Sequence, residues 1–410
     1  GELVQLHAIR QNDDRQGQMT SCISCKANGR RIGSTFREPA RPVRATQVAD
    51  VHVLAQDMVQ HAERKRLLIF SDNRQDAAFQ AGWMRDHARR FRLRALMASG
   101  LREGGASIGD LANHVNDILD RDDALSRMLI PEVWAVQRKE GTGGRHEQER
   151  RKYLRFQVLR EVAMSARQYL GLEPWGRMKV EYQGLDANLR YIQETAHQLG
   201  IPPEEMRDGI MAVLDYLRRK RILWDAEHQL FSRMWMDGDL EIQQGYVPQF
   251  GNPEGTKLRK DTTDRDGYVT QWLSERGETT LKQMARKWGV AQAQLEEFLE
   301  ELFNFLSHPD RRFLVPVTLR GSRGNALPHV SDVYQVNGDL LRMHAHHGVY
   351  QCNTCRRRTP RRTPHMICPA WRCNGELGFV REDPDNYNLQ LLDQGYDMIR
   401  PEEHTAMIPH

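Results

Sequence analysis

Three patterns are missing from this sequence of 410 residues, and each absence excludes a class of protein. No apolar run approaches the roughly 20 residues that a membrane-spanning helix needs, and no N-terminal signal peptide is present, so we expect a cytoplasmic protein with no membrane partner. The phosphate-binding patterns GxxxxGKS and GxxxxGKT are also missing. We therefore expect nothing in this stretch to hold the β- and γ-phosphates of ATP, and we assign no catalytic residue.

Lysine is scarce among the basic residues: 10 of the 59 are lysine and 49 are arginine. Arginine binds phosphate groups with two hydrogen bonds and stacks on bases, so this bias fits a nucleic-acid partner. A GC-rich genome would produce the same bias, and the formal net charge is only +4. The composition alone therefore leaves both explanations open.

The length and the two ends of the chain bear on its organisation. With 28% charged and 39% hydrophobic residues, a chain of this length is typical of roughly two to four globular domains. It starts at Gly1 rather than at a methionine and ends in "EEHTAMIPH" with no terminating element. We expect it to be a segment of a longer protein.

Cysteine is also rare, with six residues, yet four of them lie in "CNTCRRRTPRRTPHMICPAWRC". This segment holds a CxxC pair, Cys352 and Cys355, then twelve residues, then a CxxxxC pair, Cys368 and Cys373. Each pair lets two thiolates reach one metal ion from a single turn, and a hairpin would bring the pairs together. Because all four ligands are sulfur and disulfides are rare in the cytosol, we predict a structural zinc ribbon with no open coordination position.

The hairpin between the two pairs is rich in arginine. We predict that its arginines contact DNA phosphates, although a solvated charged loop is an equal alternative. These residues are Arg356, Arg357, Arg358, Arg361 and Arg362. The histidines nearby, which we expect at the surface rather than among the metal ligands, are His344, His346, His347 and His365.

A second, shorter cysteine motif is "CISC", with Cys22 and Cys25. It is half of a four-ligand metal site, and no second pair lies near enough in this chain to complete it. Either the partners precede Gly1, which would make a second metal site, or these are two ordinary thiols.

An internal repeat occupies the middle of the chain. Residues 195–217, "TAHQLGIPPEEMRDGIMAVLDYL", align without gaps on residues 284–306, "MARKWGVAQAQLEEFLEELFNFL". The alignment pairs Gly200 with Gly289, as expected for a helix, a glycine turn of positive φ and a second helix. A β-rich run that would form a wing follows each copy, so we predict two winged-helix domains in tandem. Such domains either contact DNA or serve only as packing modules.

The stretch "KRLLIFSDNRQDAAFQAG", residues 65–82, predicts a strand, a polar turn and a helix. The apolar run at 67–70 is typical of a strand covered on both faces, and apolar residues at steps of four and three over 77–95 indicate one helix face. Ligands of parallel α/β sheets gather beyond the carboxyl ends of the strands, where Arg74 and Gln75 lie. Alternatively, the first polar residues of the turn only cap the helix.

Three segments together resemble a group of prokaryotic superfamily 2 DNA helicases, which includes the repair helicase MrfA and the DrmA helicase of the DISARM phage-defence system. They are "SDNRQDA" of residues 71–77, the four-cysteine segment, and "EHT" of residues 403–405. In that group the first segment opens the second RecA-like motor lobe, and the last follows a zinc-bearing insertion. The resemblance implies ATP and Mg²⁺ as cofactors of the full-length parent, and DNA and the first RecA-like lobe as partners.

We therefore predict an α/β portion of a RecA-like motor lobe with a mainly α insertion of two winged-helix domains and a zinc ribbon. Along the chain, we predict an N-terminal segment with half a zinc site over 1–45, the start of the second RecA-like lobe over 46–100, a helical insertion over 101–184, winged-helix domains over 185–250 and 265–339, the zinc ribbon over 340–382, and a return to the lobe over 383–410.

Two hypotheses for the function follow. The first is a segment of an ATP-dependent DNA helicase or translocase, inactive alone, in which Arg74 and Gln75 face DNA or the partner lobe. The second is a non-enzymatic, zinc-containing winged-helix regulator that binds nucleic acid.

Overall fold

The computed structural model describes residues 30–32, 35–37, 54–55, 58–59, 61–63, 88–131, 133, 143–163, 171–220, 222–225, 257–259, 269–273, 277–317, 333–382 and 385–393. The predicted strand at 67–70, Arg74 and Gln75 in the polar turn, the pair Cys22 and Cys25, and the "EHT" segment all lie outside this range. In the part of the chain that the structure describes, no helix has the length and apolar character needed to cross a membrane.

Helical residues at 54–55, 58–59 and 61 precede the first helix labelled here, α1, which covers residues 88–99. The helices after α1 are α2 (Ile108–Arg121), α3 (Asp123–Leu129), α4 (Gly143–Val162), α5 (Arg190–Leu199), α6 (Pro203–Arg219), α7 (Thr280–Lys287), α8 (Leu295–Ser307) and α9 (Tyr387–Asp393). Helix α1 confirms the later part of the helix predicted at 77–95, because Ala88 and Phe91 of the predicted apolar face are buried.

The strands are short. They are β1 (Arg30–Ile32), β2 (Thr35–Arg37), β3 (Met178–Tyr182), β4 (Leu223–Trp224), β5 (Lys257–Arg259), β6 (Val269–Gln271), β7 (Leu314–Pro316), β8 (Val333–Asn337), β9 (Leu341–Ala345), β10 (Val349–Cys352), β11 (Arg358–Thr359) and β12 (Leu377–Val380). They form two-stranded sheets β1–β2 and β3–β9, a three-stranded sheet β11–β10–β12, and a five-stranded sheet in which β8 pairs with β4, β5 and β7.

Helix α2 shows how local sequence starts an element. The Ser107 hydroxyl accepts the backbone N–H of Asp110 at 3.1 Å, and the Asp110 carboxylate accepts the backbone N–H of Ser107 at 2.8 Å. This reciprocal cap satisfies two backbone donors that the first turn leaves without partners. The hydrogen bonds from Ser107 lower the pKa of Asp110, which keeps the capping carboxylate charged.

Both copies of the repeat form the predicted helix, glycine turn and helix. Gly200 follows α5 with φ of 64°, and Gly289 follows α7 with φ of 99°. The N–H of Ile201 donates to Ala196 at 3.0 Å, and the N–H of Val290 donates to Ala285 at 3.2 Å. These bonds span equivalent positions, so both helices end in the same six-residue turn.

The aligned apolar positions of the repeat are buried in both copies. In the first copy they are Met206, Ile210, Val213 and Leu217, and in the second they are Leu295, Leu299, Leu302 and Leu306. They belong to one continuous core that extends from α1 to α9. The sequence period of the repeat therefore corresponds to one apolar face of α6 and one of α8.

The strands that follow the two helix pairs belong to one sheet. Strand β4 follows α6 and pairs parallel with β8, whereas β7 follows α8 and pairs antiparallel with β8. Strands β7 and β8 pair antiparallel in the segment where two strands were predicted after the second copy, and residues 318–332 between them lie outside the described residues. The two copies thus share β8 instead of having separate sheets.

The predicted ribbon range 340–382 contains two different sheets. Strand β9 pairs antiparallel with β3 of the preceding helical region, with Val180 opposite Met343. The ribbon's own sheet consists of β10, β11 and β12, with Cys352 opposite Leu377. A separate small core of the ribbon contains three of the four cysteines, Ala370 and Leu377.

Candidate metal centre

The four cysteines predicted as metal ligands come together in space. The Sγ atoms of Cys352 and Cys373 are 3.7 Å apart, and those of Cys355 and Cys368 are 3.6 Å apart. All four sulfurs lie within 4.8 Å of one another. A tetrahedral zinc centre with bonds of about 2.3 Å places its sulfurs about 3.8 Å apart, so the geometry is consistent with a structural metal such as zinc.

The first pair of ligands is positioned by the end of β10. The backbone N–H groups of Thr354 and Cys355 both donate to Cys352 Sγ, each at 3.4 Å. Arg356 then adopts a left-handed conformation with φ of 58°, and its N–H donates to the carbonyl of Cys352 at 3.1 Å. This reversal returns the chain to β11, and it leaves two backbone amides pointing at the sulfur of Cys352.

The second pair is positioned by a similar tight turn. The N–H of Cys373 donates to Ala370 at 3.2 Å, and Arg372 has φ of 54°. Next to it, a Cβ added to Gly375 would lie 2.6 Å from Cys352 Sγ, so any larger side chain there would collide with a ligand. The glycine is required by this close approach to the sulfur.

Hydrogen bonding among the thiols gives them different pKa values. The bond from Cys368 lowers the pKa of Cys355 to about 5, and the same bond raises the pKa of Cys368. Burial raises the pKa of Cys373 to about 11. A divalent cation binds thiolates, so it would displace the thiol protons of this cluster as it bound. A complete set of four sulfur ligands leaves no position for a reacting water, so such a metal would be structural.

Lys287, the last residue of α7, contacts this centre and was not predicted. Its ammonium donates to three backbone carbonyls, those of Cys368 at 2.8 Å, Ala370 at 2.9 Å and Cys373 at 2.7 Å. Burial lowers the pKa of Lys287, and the four cysteines oppose that effect. No motif links a lysine 81 residues before Cys368 to the ribbon, so the sequence contained no signal for this contact.

Three of the five predicted DNA-contacting arginines form contacts with other parts of the protein. Arg361 is buried, and its Nε donates to Asp215 of α6 at 2.7 Å. Arg362 pairs with Asp208 of the same helix at 2.9 Å. Arg358 is half-buried and donates to the carbonyl of Pro174 at 3.4 Å. These contacts attach the ribbon to the rest of the fold.

Arg361 enters a buried ionic network. Asp215 accepts from Arg361 on one carboxylate oxygen and, on the other, from Arg218 at 2.9 Å and the Tyr182 hydroxyl at 3.0 Å. Arg218 also pairs with Glu173 at 2.9 Å. Burial raises the pKa of Asp215, but the two guanidinium groups outweigh that effect and hold its pKa below the usual range. Each charge is therefore compensated where it is buried.

Arg356 and Arg357 have a different placement. Arg356 is exposed and Arg357 is half-buried, and neither forms an ion pair with a carboxylate among the described residues. Arg372 in the second turn, which was not predicted, is also exposed, and its guanidinium carbon lies 5.5 Å from the centre of the Trp371 ring. The ribbon surface thus presents three arginines that internal carboxylates do not neutralise.

The histidines near the ribbon lie outside the sulfur cluster. His344 and the carbonyl of Glu103 are 3.0 Å apart, and His347 is 3.3 Å from Glu382. His346 is half-buried, and burial lowers its pKa. His365 is exposed. In the described residues, the group of side chains that could hold a metal contains only the four cysteines.

Comparisons with protein-family models, with curated proteins and with solved structures found no match. The features of the described residues that bear on function are the metal centre, the arginines around it and the paired helices.

Proposed function

We propose that this chain is the DNA-binding part of an ATP-dependent superfamily 2 DNA helicase or translocase, and that its four-cysteine centre holds a structural zinc in the cytoplasm. The observation that carries DNA binding is the surface formed by Arg356, Arg357 and Arg372 beside the two metal-binding turns. Arginines without an internal carboxylate partner remain available to bind phosphate groups.

The ribbon also offers aromatic surface for bases. Phe379 is 49% exposed, and its ring packs edge-on against Tyr350 with ring centres 5.3 Å apart. Trp371 lies beside Arg372. Aromatic rings and arginines together bind single-stranded nucleic acid, because bases stack on the rings while arginines contact the backbone; Trp371 and Arg372 are such a pair.

The helix pairs support the same proposal. Pairs α5–α6 and α7–α8 have equivalent turns and buried faces, as in helix-turn-helix modules. We propose winged-helix character for both copies and a place beside the second RecA-like lobe. ATP and Mg²⁺ would bind in the longer protein, between its two lobes.

The test of DNA binding is fluorescence anisotropy with labelled single-stranded and duplex DNA over a range of salt concentrations. The variant R356Q/R357Q/R372Q should bind more weakly, and the slope of log K against log salt should become shallower by about 0.7–0.9 for each phosphate group that the variant no longer binds. Glutamine is chosen because it keeps most of the side-chain length and removes the charge.

The matched control is R121Q/R127Q/R190Q, which removes the same number of charges from helices distant in sequence from the ribbon. Its salt slope should stay close to that of the unmodified chain. Equal weakening of DNA binding in both triple variants would mean that net charge, rather than the ribbon surface, governs binding. A DNA-stimulated ATPase assay on the longer protein separates the motor from a DNA-binding regulator, because the regulator would show no hydrolysis.

A further inference from the structure

The environment of Lys287 points to a role in the metal centre. An ammonium group has three N–H donors, and those of Lys287 meet three carbonyl acceptors at 2.7–2.9 Å. All three acceptors belong to the turn that supplies Cys368 and Cys373. The turn therefore surrounds the ammonium, and all three donors of the ammonium are used by this one turn.

The charge of Lys287 lacks a carboxylate partner among the described residues, although the side chain is half-buried. A cation removed from water needs a compensating negative charge. Four thiolates around one divalent cation leave the centre with two net negative charges. We propose that Lys287 is the positioning residue of this centre, which balances the charge of the metal–thiolate group and couples metal binding to helix α7.

The coupling follows from the other contacts of the same turn. The side chain of Gln283, one turn earlier on α7, accepts the backbone N–H of Arg372 at 2.8 Å. Helix α7 is thus attached to the ribbon at two successive turns. Arg361 and Arg362 attach the ribbon to α6. A loaded metal centre would therefore hold the first helix of the second pair against the second helix of the first pair.

This inference rests on the proposed zinc and not on DNA binding. The experiment uses the 410-residue chain and measures zinc stoichiometry, then zinc affinity by competition with a chromophoric chelator. K287M should lower the affinity about 10- to 100-fold, the range typical of residues that orient metal ligands. The control R286M removes a charge from the adjacent exposed residue, which pairs with Glu278, and should leave the affinity unchanged.

Two more variants make the outcomes distinct. K287R keeps the charge but not the three converging bonds, so its affinity should lie between those of K287M and the unmodified chain. C352S removes a ligand and should abolish stoichiometric zinc. Hydrogen exchange of α7 should rise when zinc is removed, and should already be raised in zinc-bound K287M.

If the unmodified chain binds no zinc, or C352S retains it, the proposed metal centre is wrong. If zinc binds but K287M and R286M have equal affinities, the role of Lys287 is refuted. If K287R binds no better than K287M, charge balance is excluded. If K287M does not fold, the zinc affinities of K287R and R286M are compared instead. A lower affinity for K287R supports the role of Lys287, and equal affinities refute it.

Discussion

Replacing Arg361 by methionine should destabilise the chain far more than the same replacement at Arg362. These residues are adjacent, and each pairs with an aspartate of α6. Their exposure differs: 1% of the Arg361 side chain is accessible, against 36% for Arg362. Both aspartates are buried, so the comparison tests the effect of burying the arginine of the pair.

The magnitude follows from what each substitution leaves behind. Removing one partner of a buried pair costs about 3–5 kcal/mol, because the other charge remains buried. Asp215 would keep Arg218 as a partner, so we expect the lower end, about 3 kcal/mol, for R361M. Arg362 is accessible to solvent, and Asp208 would keep Arg207 as a partner at 3.0 Å, so we expect R362M to lower the unfolding free energy by only about 0.2–1 kcal/mol.

The assay is urea unfolding of the zinc-loaded variants, followed by circular dichroism and tryptophan fluorescence. The double variant D215N/R361M should recover part of the lost stability, because it removes both members of the pair. Equal destabilisation by R361M and R362M would refute the reasoning. The reasoning would also be refuted if the free energy of unfolding of the double variant fell by as much as the two single substitutions together.

Two further predictions concern the turns and the acid limit. Gly200→Ala and Gly289→Ala should each lower the free energy of unfolding by about 1–2 kcal/mol, because alanine is strained at positive φ even where space is open. The control is Gly104→Ala, at a glycine that lies in open space without positive φ. An equal destabilisation by the control would contradict this reason. Because the two arginines lower the pKa of Asp215, its stabilising contribution is complete above the unfolded pKa of about 3.9 and is lost as pH falls towards the lower folded value. Asp215→Asn should therefore make the unfolding free energy decline less steeply below about pH 4. The measurement is urea unfolding at several pH values. If the decline is unchanged, other carboxylates and not Asp215 cause it.

The repeat and the cysteine motif were predictable because both are local patterns. The glycine turn needs only a helix on each side and a residue that tolerates positive φ. Likewise, Cys352 and Cys355 are brought together by one turn of chain. The motor-lobe assignment through Arg74 and Gln75 stays a prediction, since those residues lie outside the described range.

The sequence did not predict which of the hairpin arginines are buried. Arg356 and Arg361 are equivalent in sequence terms, since both lie in the same basic loop between cysteine pairs. The structure exposes the first and buries the second against Asp215, 146 residues away. No local pattern distinguishes them, because burial depends on which distant helix packs over the loop.

The sequence by itself determined the composition of the metal centre, the helix pairs and the positions of their glycines, because short-range spacing and backbone sterics decide these features. The tertiary structure decided that β4 and β7 share β8, that Lys287 donates to three carbonyls of the metal-binding turn, and that Asp215 neutralises Arg361. Each of these contacts joins residues far apart in the chain. Their formation depends on how the apolar faces pack into one core, which brings charged groups together at positions that no spacing in the sequence records.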